Sequence, residues 1–279
     1  MKIKLICDSL CDVPKELVEK YKIDIVPLNI ILKDEEYKEG VDITNEEFYK
    51  RMKEKTEVPK TSQATYIQFK EVFDKYKDDY SIICINGSSM SSGTYQSAVM
   101  AKNDTEGDIH VFDTLTLSLG SAQFVIRACD LIEENSNITA EEIIEELEKL
   151  RESVSLYFVP DTLEYLRRSG RASLTTAAIG NMLKIKPVFT VEDGKIFILH
   201  KVRGTKNAIN DLVNLIVNKY DNLEDKNIII GYGDNFEDFE KLRVEVESKI
   251  KFKKLYITRC GAAICSHTGP DIYAISCSY

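Results

Sequence analysis

The stretch Ser81-Ile82-Ile83-Cys84-Ile85-Asn86-Gly87-Ser88-Ser89-Met90-Ser91-Ser92-Gly93-Thr94-Tyr95 decides the fold class. Its first part, 81–86, is short and apolar without interruption. A strand with one wet face would alternate polar and apolar residues, whereas an unbroken apolar run suits a strand covered on both faces, as in a parallel sheet flanked by helices. A serine-rich loop follows, and a helix is predicted from about Thr94. Strand, loop and helix in that order form the repeating unit of a parallel α/β layer. Ligands in such layers gather beyond the carboxyl ends of the strands, so the same stretch nominates a site.

The alternation extends both ways. Residues 2–7 read as a first strand, and Asp12 is expected to cap a helix with Pro14 in its first turn and Leu17, Val18 and Tyr21 on one face. Residues 23–32 read as one β-rich stretch. Thr44 with Glu47, and Thr139 with Glu142, fit the capping-box spacing. Phe69, Val72, Phe73 and Tyr76 recur at helical spacing, as do Ile143, Ile144, Leu147 and Leu150. A strand over 109–112 and an apolar helix over 118–133 lie between them. The texture changes after about Val154. A strand over 155–160, a short helix over 163–168 capped by Asp161, and a hairpin over 187–199 turning at Glu192-Asp193-Gly194 come first. A helix over 206–220, a strand over 227–232, a helix over 238–249 and strands over 254–259 and 272–278 complete the chain. The expected fold is α/β: an N-terminal parallel-sheet three-layer domain over 1–153 and a C-terminal α+β domain over 154–279.

Composition narrows the function. Of 279 residues, 43% are apolar and 30% charged, as in ordinary globular proteins. No apolar run approaches the roughly 18–20 residues that span a bilayer. The opening Met1-Lys2-Ile3-Lys4 is charged too early for a secretory signal, so a cytoplasmic protein with no stable membrane insertion is expected. The seven cysteines include no C-x-x-C pair, and His110, His200 and His267 lie far apart. This is no zinc pattern; it suits reduced, buried thiols, with no metal and no cofactor. A net charge of −9 opposes nucleic-acid binding. Yet 167–206 carries nine basic residues against two acids, a positive face suited to an anionic partner.

Four motifs could carry chemistry. Thr61-Ser62-Gln63 follows Pro59 in extended chain and precedes a helix; helix capping is its plainer role. Ser91-Ser92-Gly93-Thr94 offers hydroxyl donors, a glycine that admits close approach, and the N–H groups of a helix start. It matches neither a Walker A loop nor G-x-S-x-G. Ser266-His267-Thr268-Gly269-Pro270 reads as a sharp turn between two strands. Arg167-Arg168-Ser169-Gly170-Arg171 with Lys201-Val202-Arg203 supplies guanidinium groups suited to carboxylate or phosphate, or simply a solvated surface. Neutral donors with one histidine and no acid inside the hydroxyl motifs describe anion binding. A serine hydrolase of lipid esters using Ser92 and His267 is the alternative, with Asp271 or Asp113 to orient the imidazole. A sugar-phosphate-binding regulatory module would use the basic segment instead.

Taken together, these motifs resemble the DegV family. Thr61-Ser62-Gln63, Ser91 through Ala98, Tyr157 through Leu166, Ser169-Gly170-Arg171, Lys184-Ile185-Lys186-Pro187, Lys201-Val202-Arg203 and His267-Thr268-Gly269-Pro270 occur in that family's order over nearly the whole chain. The sequence departs from the family at Met90-Ser91, usually Gly-Leu, and at Ser169, usually Gly. It departs also at Cys265 and Asp271, where glycines are usual. The resemblance implies a fatty-acid-binding, FakB-like protein: not itself an enzyme, but a subunit presenting an acyl carboxylate to a separate fatty acid kinase. It implies carboxylate contacts at Thr61, Ser92 and His267, with Ser62, Gly93, Thr94 and Thr268 beside them. Arg171 and Arg203 would face the kinase or its nucleotide. The tail would lie in an apolar tunnel between the domains. Ile179, Met182 and Leu183 are candidates for its lining, with ordinary core packing the plainer role of each.

Overall fold

The computed structural model describes residues 2–54, 58–172 and 185–279. In chain order, β1 (Lys2–Asp8) is followed by a 3-10 turn (Ser9–Cys11), α1 (Lys15–Tyr21) and β2 (Asp24–Val26). Next come β3 (Asn29–Leu32), β4 (Glu35–Lys38), α2 (Asn45–Lys53) and β5 (Lys60–Ser62). Then follow α3 (Tyr66–Tyr76), β6 (Tyr80–Asn86), α4 (Thr94–Asn103), β7 (Ile109–Asp113), α5 (Leu119–Glu134) and α6 (Ala140–Leu150). A parallel sheet of order β2-β1-β6-β7 is central to this half, with Leu5 opposite Ile83 and Ile83 opposite His110. Residues 81–86 are all buried, as an unbroken apolar run requires.

Local expectations fail where a distant contact intervenes. The stretch 23–32 is two strands, because Pro27 has no N–H to extend a ladder. β2 stays in the parallel sheet, while β3 enters a small antiparallel sheet of order β4-β3-β5. Asp12 does not cap α1, whose N-cap position is Pro14 and which has no side-chain cap. Asp12 adopts a left-handed backbone (φ 42°) and sends its carboxylate toward Gly261 and Ser118. Thr139 and Glu142 do form the reciprocal box, whereas Thr44 only accepts from Glu47 N at 3.2 Å. Thr65 and Gln68 make a reciprocal box at the start of α3.

The second half contains β8 (Ser155–Pro160), α7 (Glu164–Ser169), β9 (Ile185–Glu192), β10 (Lys195–Arg203), α8 (Thr205–Lys219) and β11 (Asn227–Tyr232). It ends with α9 (Phe236–Lys249), β12 (Lys254–Arg259), α10 (Ala262–Thr268) and β13 (Ile272–Cys277). The six strands form a mixed sheet of order β10-β9-β8-β13-β11-β12, antiparallel except for the β11–β12 pair. Asp193 and Gly194 turn the β9–β10 hairpin with φ of 47° and 76°, the left-handed pair that matches strand twist. Asp161 pairs with Lys186 at 2.5 Å instead of capping α7; the hydroxyl of Thr162 accepts from Glu164 N. The segment around His267 is the last turn of a helix, not a loop between strands.

Helix α5 is buried on nearly every side, packing on the parallel sheet and on β8, β11 and β13 of the mixed sheet. α8 and α9 cover the mixed sheet's other face through Leu212, Val213, Leu242 and Val246. Although α10 belongs to the second half in sequence, Ala262, Ala263, Ile264 and Cys265 pack into a core shared with β1, β3 and α2. All seven cysteines are free thiols and buried. Among the described residues, no helix is long and apolar enough to cross a membrane.

Candidate functional site

Three separate segments converge. β5 pairs with β3, setting Ile30 opposite Thr61, and Thr61 lines the cavity. The loop after β6 folds back on itself, with the N–H groups of Ser91 and Ser92 donating to Ser88 O. α10 delivers His267. Together they line one stretch of a cavity of about 810 Å³. Much of the remaining lining is apolar and comes from both halves of the chain: Leu10 and Leu117 from the first, Leu156, Phe158, Ile196 and Ala274 from the second.

Thr61 Oγ1 and His267 Nε2 are 2.8 Å apart. Nδ1 of His267 is buried and has no hydrogen-bond partner among the described residues. A buried N–H without an acceptor is costlier than an idle lone pair, so the proton belongs on Nε2 and is donated to Thr61. Thr61 then keeps its own hydroxyl proton for a ligand. Burial first, and the nearby Arg171 charge second, push the His267 pKa down to about 4, so the imidazole is neutral at pH 7.

Ser92 is arranged in the same way. Its Oγ accepts from Thr94 N at 3.2 Å and lies 2.9 Å from Thr94 Oγ1, which itself accepts from Ala64 N at 3.2 Å. Either hydroxyl can donate in the Ser92–Thr94 contact; when Thr94 donates, both lone pairs of Ser92 are occupied and its proton is free to face the cavity. Thr94 is fully buried and acts behind the wall, while Ser92 and Gly93 line it. A Cβ on Gly93 would stand 2.0 Å from Gln63 Oε1; the bare glycine lets Gln63 cross and donate to Ser97 at 2.9 Å. The remaining loop hydroxyls close the chamber. Ser88 and Ser91 each donate to Gly194 O at 2.9 Å, seating the β9–β10 turn on the serine loop.

Ser62 lines the cavity and shares its hydroxyl with Asn29 and Glu36. Thr268 also lines it but directs its proton to Ile264 O or Gly269 O. Arg171 is exposed and lines the cavity edge near His267. Arg203 is exposed at the end of β10 and is not a lining residue. Ile179, Met182, Leu183 and Lys184 lie outside the described residues. A serine–histidine–acid relay is not assembled among the described residues. His267 bonds to a hydroxyl, Nδ1 meets no carboxylate, and Asp113 is committed to Ser89 N and Leu115 N. Gln63 belongs to the Thr61-Ser62-Gln63 motif, and that neighbourhood is the sequence signal for its place in the site. The apolar wall carries no local signal, because its residues are ordinary core residues until the two sheets meet.

A parallel-sheet half and a mixed-sheet half meeting at one cavity, lined by hydroxyls, an imidazole and a guanidinium, define an α/β protein with a ligand-sized space. The chain belongs to the DegV family: the profile described as "Uncharacterised protein, DegV family" matches residues 2–279. It is 34% identical over 272 residues to a DegV domain-containing protein of Caldanaerobacter subterraneus, covering 97% of this chain and 96% of that relative. Its fold is similar to that of a DegV lipid binding protein from Thermotoga maritima (TM-score 0.90, 30% identity, 100% of this chain and 98% of the other). It is equally similar to a fatty-acid-binding DegV family protein from Thermus thermophilus (TM-score 0.91, 30% identity, 100% and 99%).

Proposed function

We propose that this chain is a cytoplasmic lipid-binding protein that holds one long-chain fatty acid between two domains, 1–153 and 154–279, and presents its carboxylate to a separate fatty acid kinase. One observation carries the reading: the hydroxyls of Thr61 and Ser92 line the same largely apolar cavity, beside a neutral imidazole. Burying a tail contributes about 0.8 kcal/mol per CH2, on the order of 10 kcal/mol for a long chain before the entropy of binding is deducted. An unpaired carboxylate would cancel much of this. The two hydroxyls offset that cost, with Arg171 close by at the cavity edge. Ser62, Gly93, Thr94 and Thr268 shape this end of the site.

Neutral donors bind the acid without altering it, so phosphoryl transfer falls to the partner. The exposed guanidinium groups of Arg171 and Arg203 suit an anionic surface or nucleotide phosphates on that partner. Similarity to lipid-binding and fatty-acid-binding DegV structures supports the ligand class. Mass spectrometry of lipid extracted from the purified protein tests it: one equivalent of fatty acid is expected. Lipid-free protein that also fails to bind added palmitate would sink the reading. For the kinase step, acyl phosphate should form only when this protein, a fatty acid kinase and ATP are all present.

A further inference from the structure

The helix that carries His267 is held at its start by two carboxyl groups from the other half of the molecule. Asp12 Oδ1 accepts from Gly261 N at 2.7 Å, and Glu39 Oε1 accepts from Ala263 N at 2.9 Å. Asp12 is fastened in turn, its Oδ2 accepting from Ser118 Oγ at 2.5 Å and its carbonyl from Thr258 Oγ1 at 2.9 Å. The fit is tight. A Cβ on Gly261 would lie 2.3 Å from Glu39 Oε1 and 3.0 Å from Asp12 Oδ1. Neither carboxyl group meets a lysine or arginine among the described residues, and both are buried.

Burying two acids without cationic partners is a poor route to stability alone. Their geometry suggests what they do instead. α10 has seven residues, too few to hold a direction by itself, and its first N–H groups need acceptors. His267 lies six residues beyond Gly261, about 9 Å along the axis. A tilt at the anchored start therefore moves the imidazole relative to Thr61, a contact only 2.8 Å long.

We propose that Asp12 and Glu39 are positioning residues for His267, clamping the start of α10 so that the imidazole meets Thr61 where the ligand carboxylate binds. This rests on the fatty-acid reading above. The clamp explains why the first half of the chain supplies both the hydroxyls and the anchor for a histidine contributed by the second half.

The test compares palmitate with hexadecanol, which shares the chain but lacks the carboxylate, by calorimetric titration of the full chain. Wild type should prefer palmitate. Glu39→Ala should lose about tenfold or more in palmitate affinity while hexadecanol changes less than about threefold. Glu39→Gln keeps an acceptor for Ala263 N and should stay within about threefold of wild type for both ligands. Should Glu39→Ala fail to fold, Glu39→Asp, which withdraws the acceptor by one methylene, replaces it with the same expectation. Equal losses for both ligands, unchanged preference, or a Gln variant as weak as the Ala variant would each overturn the clamp. Wild type that binds neither ligand overturns the fatty-acid reading and the clamp together, whereas a selective wild type with an equally selective Glu39→Ala overturns the clamp alone.

Discussion

Thr61 Oγ1 and His267 Nε2 are 2.8 Å apart although 206 positions separate them in the chain. That contact joins an edge strand of the small antiparallel sheet to the last turn of a helix from the other half. The polar part of the chamber therefore exists only when both halves are folded and docked, and each side chain leaves the other oriented for a third group.

Removing the donors should abolish carboxylate recognition. A hydrogen bond to a charged group contributes about 1.5–3 kcal/mol, so Ser92→Ala, which removes a donor, or His267→Ala, which removes the contact that orients the Thr61 hydroxyl, should each weaken palmitate binding about tenfold to a hundredfold. The double variant should retain the far-ultraviolet circular dichroism of wild type and no longer distinguish palmitate from hexadecanol. Unchanged palmitate affinity in the double variant would reject the site.

Arg171 should be felt at His267. Its charge is the second cause, after burial, that holds the imidazole pKa near 4 instead of 6.5. Arg171→Gln should raise that value without restoring it fully, because burial remains. Proton NMR titration of the His267 ring measures it. The same variant should bind palmitate more weakly, through loss of a nearby cation.

Stability should fall as pH rises from 6.5 to 8. Burial raises Asp8 to about 7, Asp12 to about 8 and Glu39 to about 7. In that window the unfolded chain has lost these protons and the folded chain still holds some, so the folded state binds more protons and loses stability with rising pH. The contribution is full below the ordinary values of 3.8 and 4.5 and is lost as pH passes through 7 to 8. His267 works in the opposite sense, but only between about 4 and 6.5. Urea denaturation at the two pH values should show a smaller drop for Asp12→Asn than for wild type; an equal drop would contradict the assignment.

The tail wall should be sensitive to volume. Ala274 is buried, lines the cavity from β13 and lies opposite Gly231 and Phe158 in the sheet. Ala274→Phe should fill part of the chamber, lowering palmitate affinity about tenfold or more while octanoate, with fewer methylenes to bury, changes little. Parallel titrations with the two acids check this. Equal losses would mean that the substitution disturbs the polar end instead.

Much of this protein is legible from neighbouring residues. The unbroken apolar run 81–86, the Thr139–Glu142 box and the Asp193-Gly194 turn are set by side chains within a few positions of one another, and the structure keeps all three. The hydroxyl motifs were visible because a cluster of small donors without acids is unusual chemistry wherever it folds. Other features depended on contacts across the chain. Asp12 looks like a helix cap until Gly261, 249 positions away, offers it an N–H. α10 was missed because seven residues are too few for a helical period to stand out, and its start is held by acids from the first half. Arg171 looks like surface charge until the fold turns it to the cavity edge. Burial belongs to the assembled molecule, so the protonation of His267 and the shape of its chamber were decided only when the two sheets closed on each other.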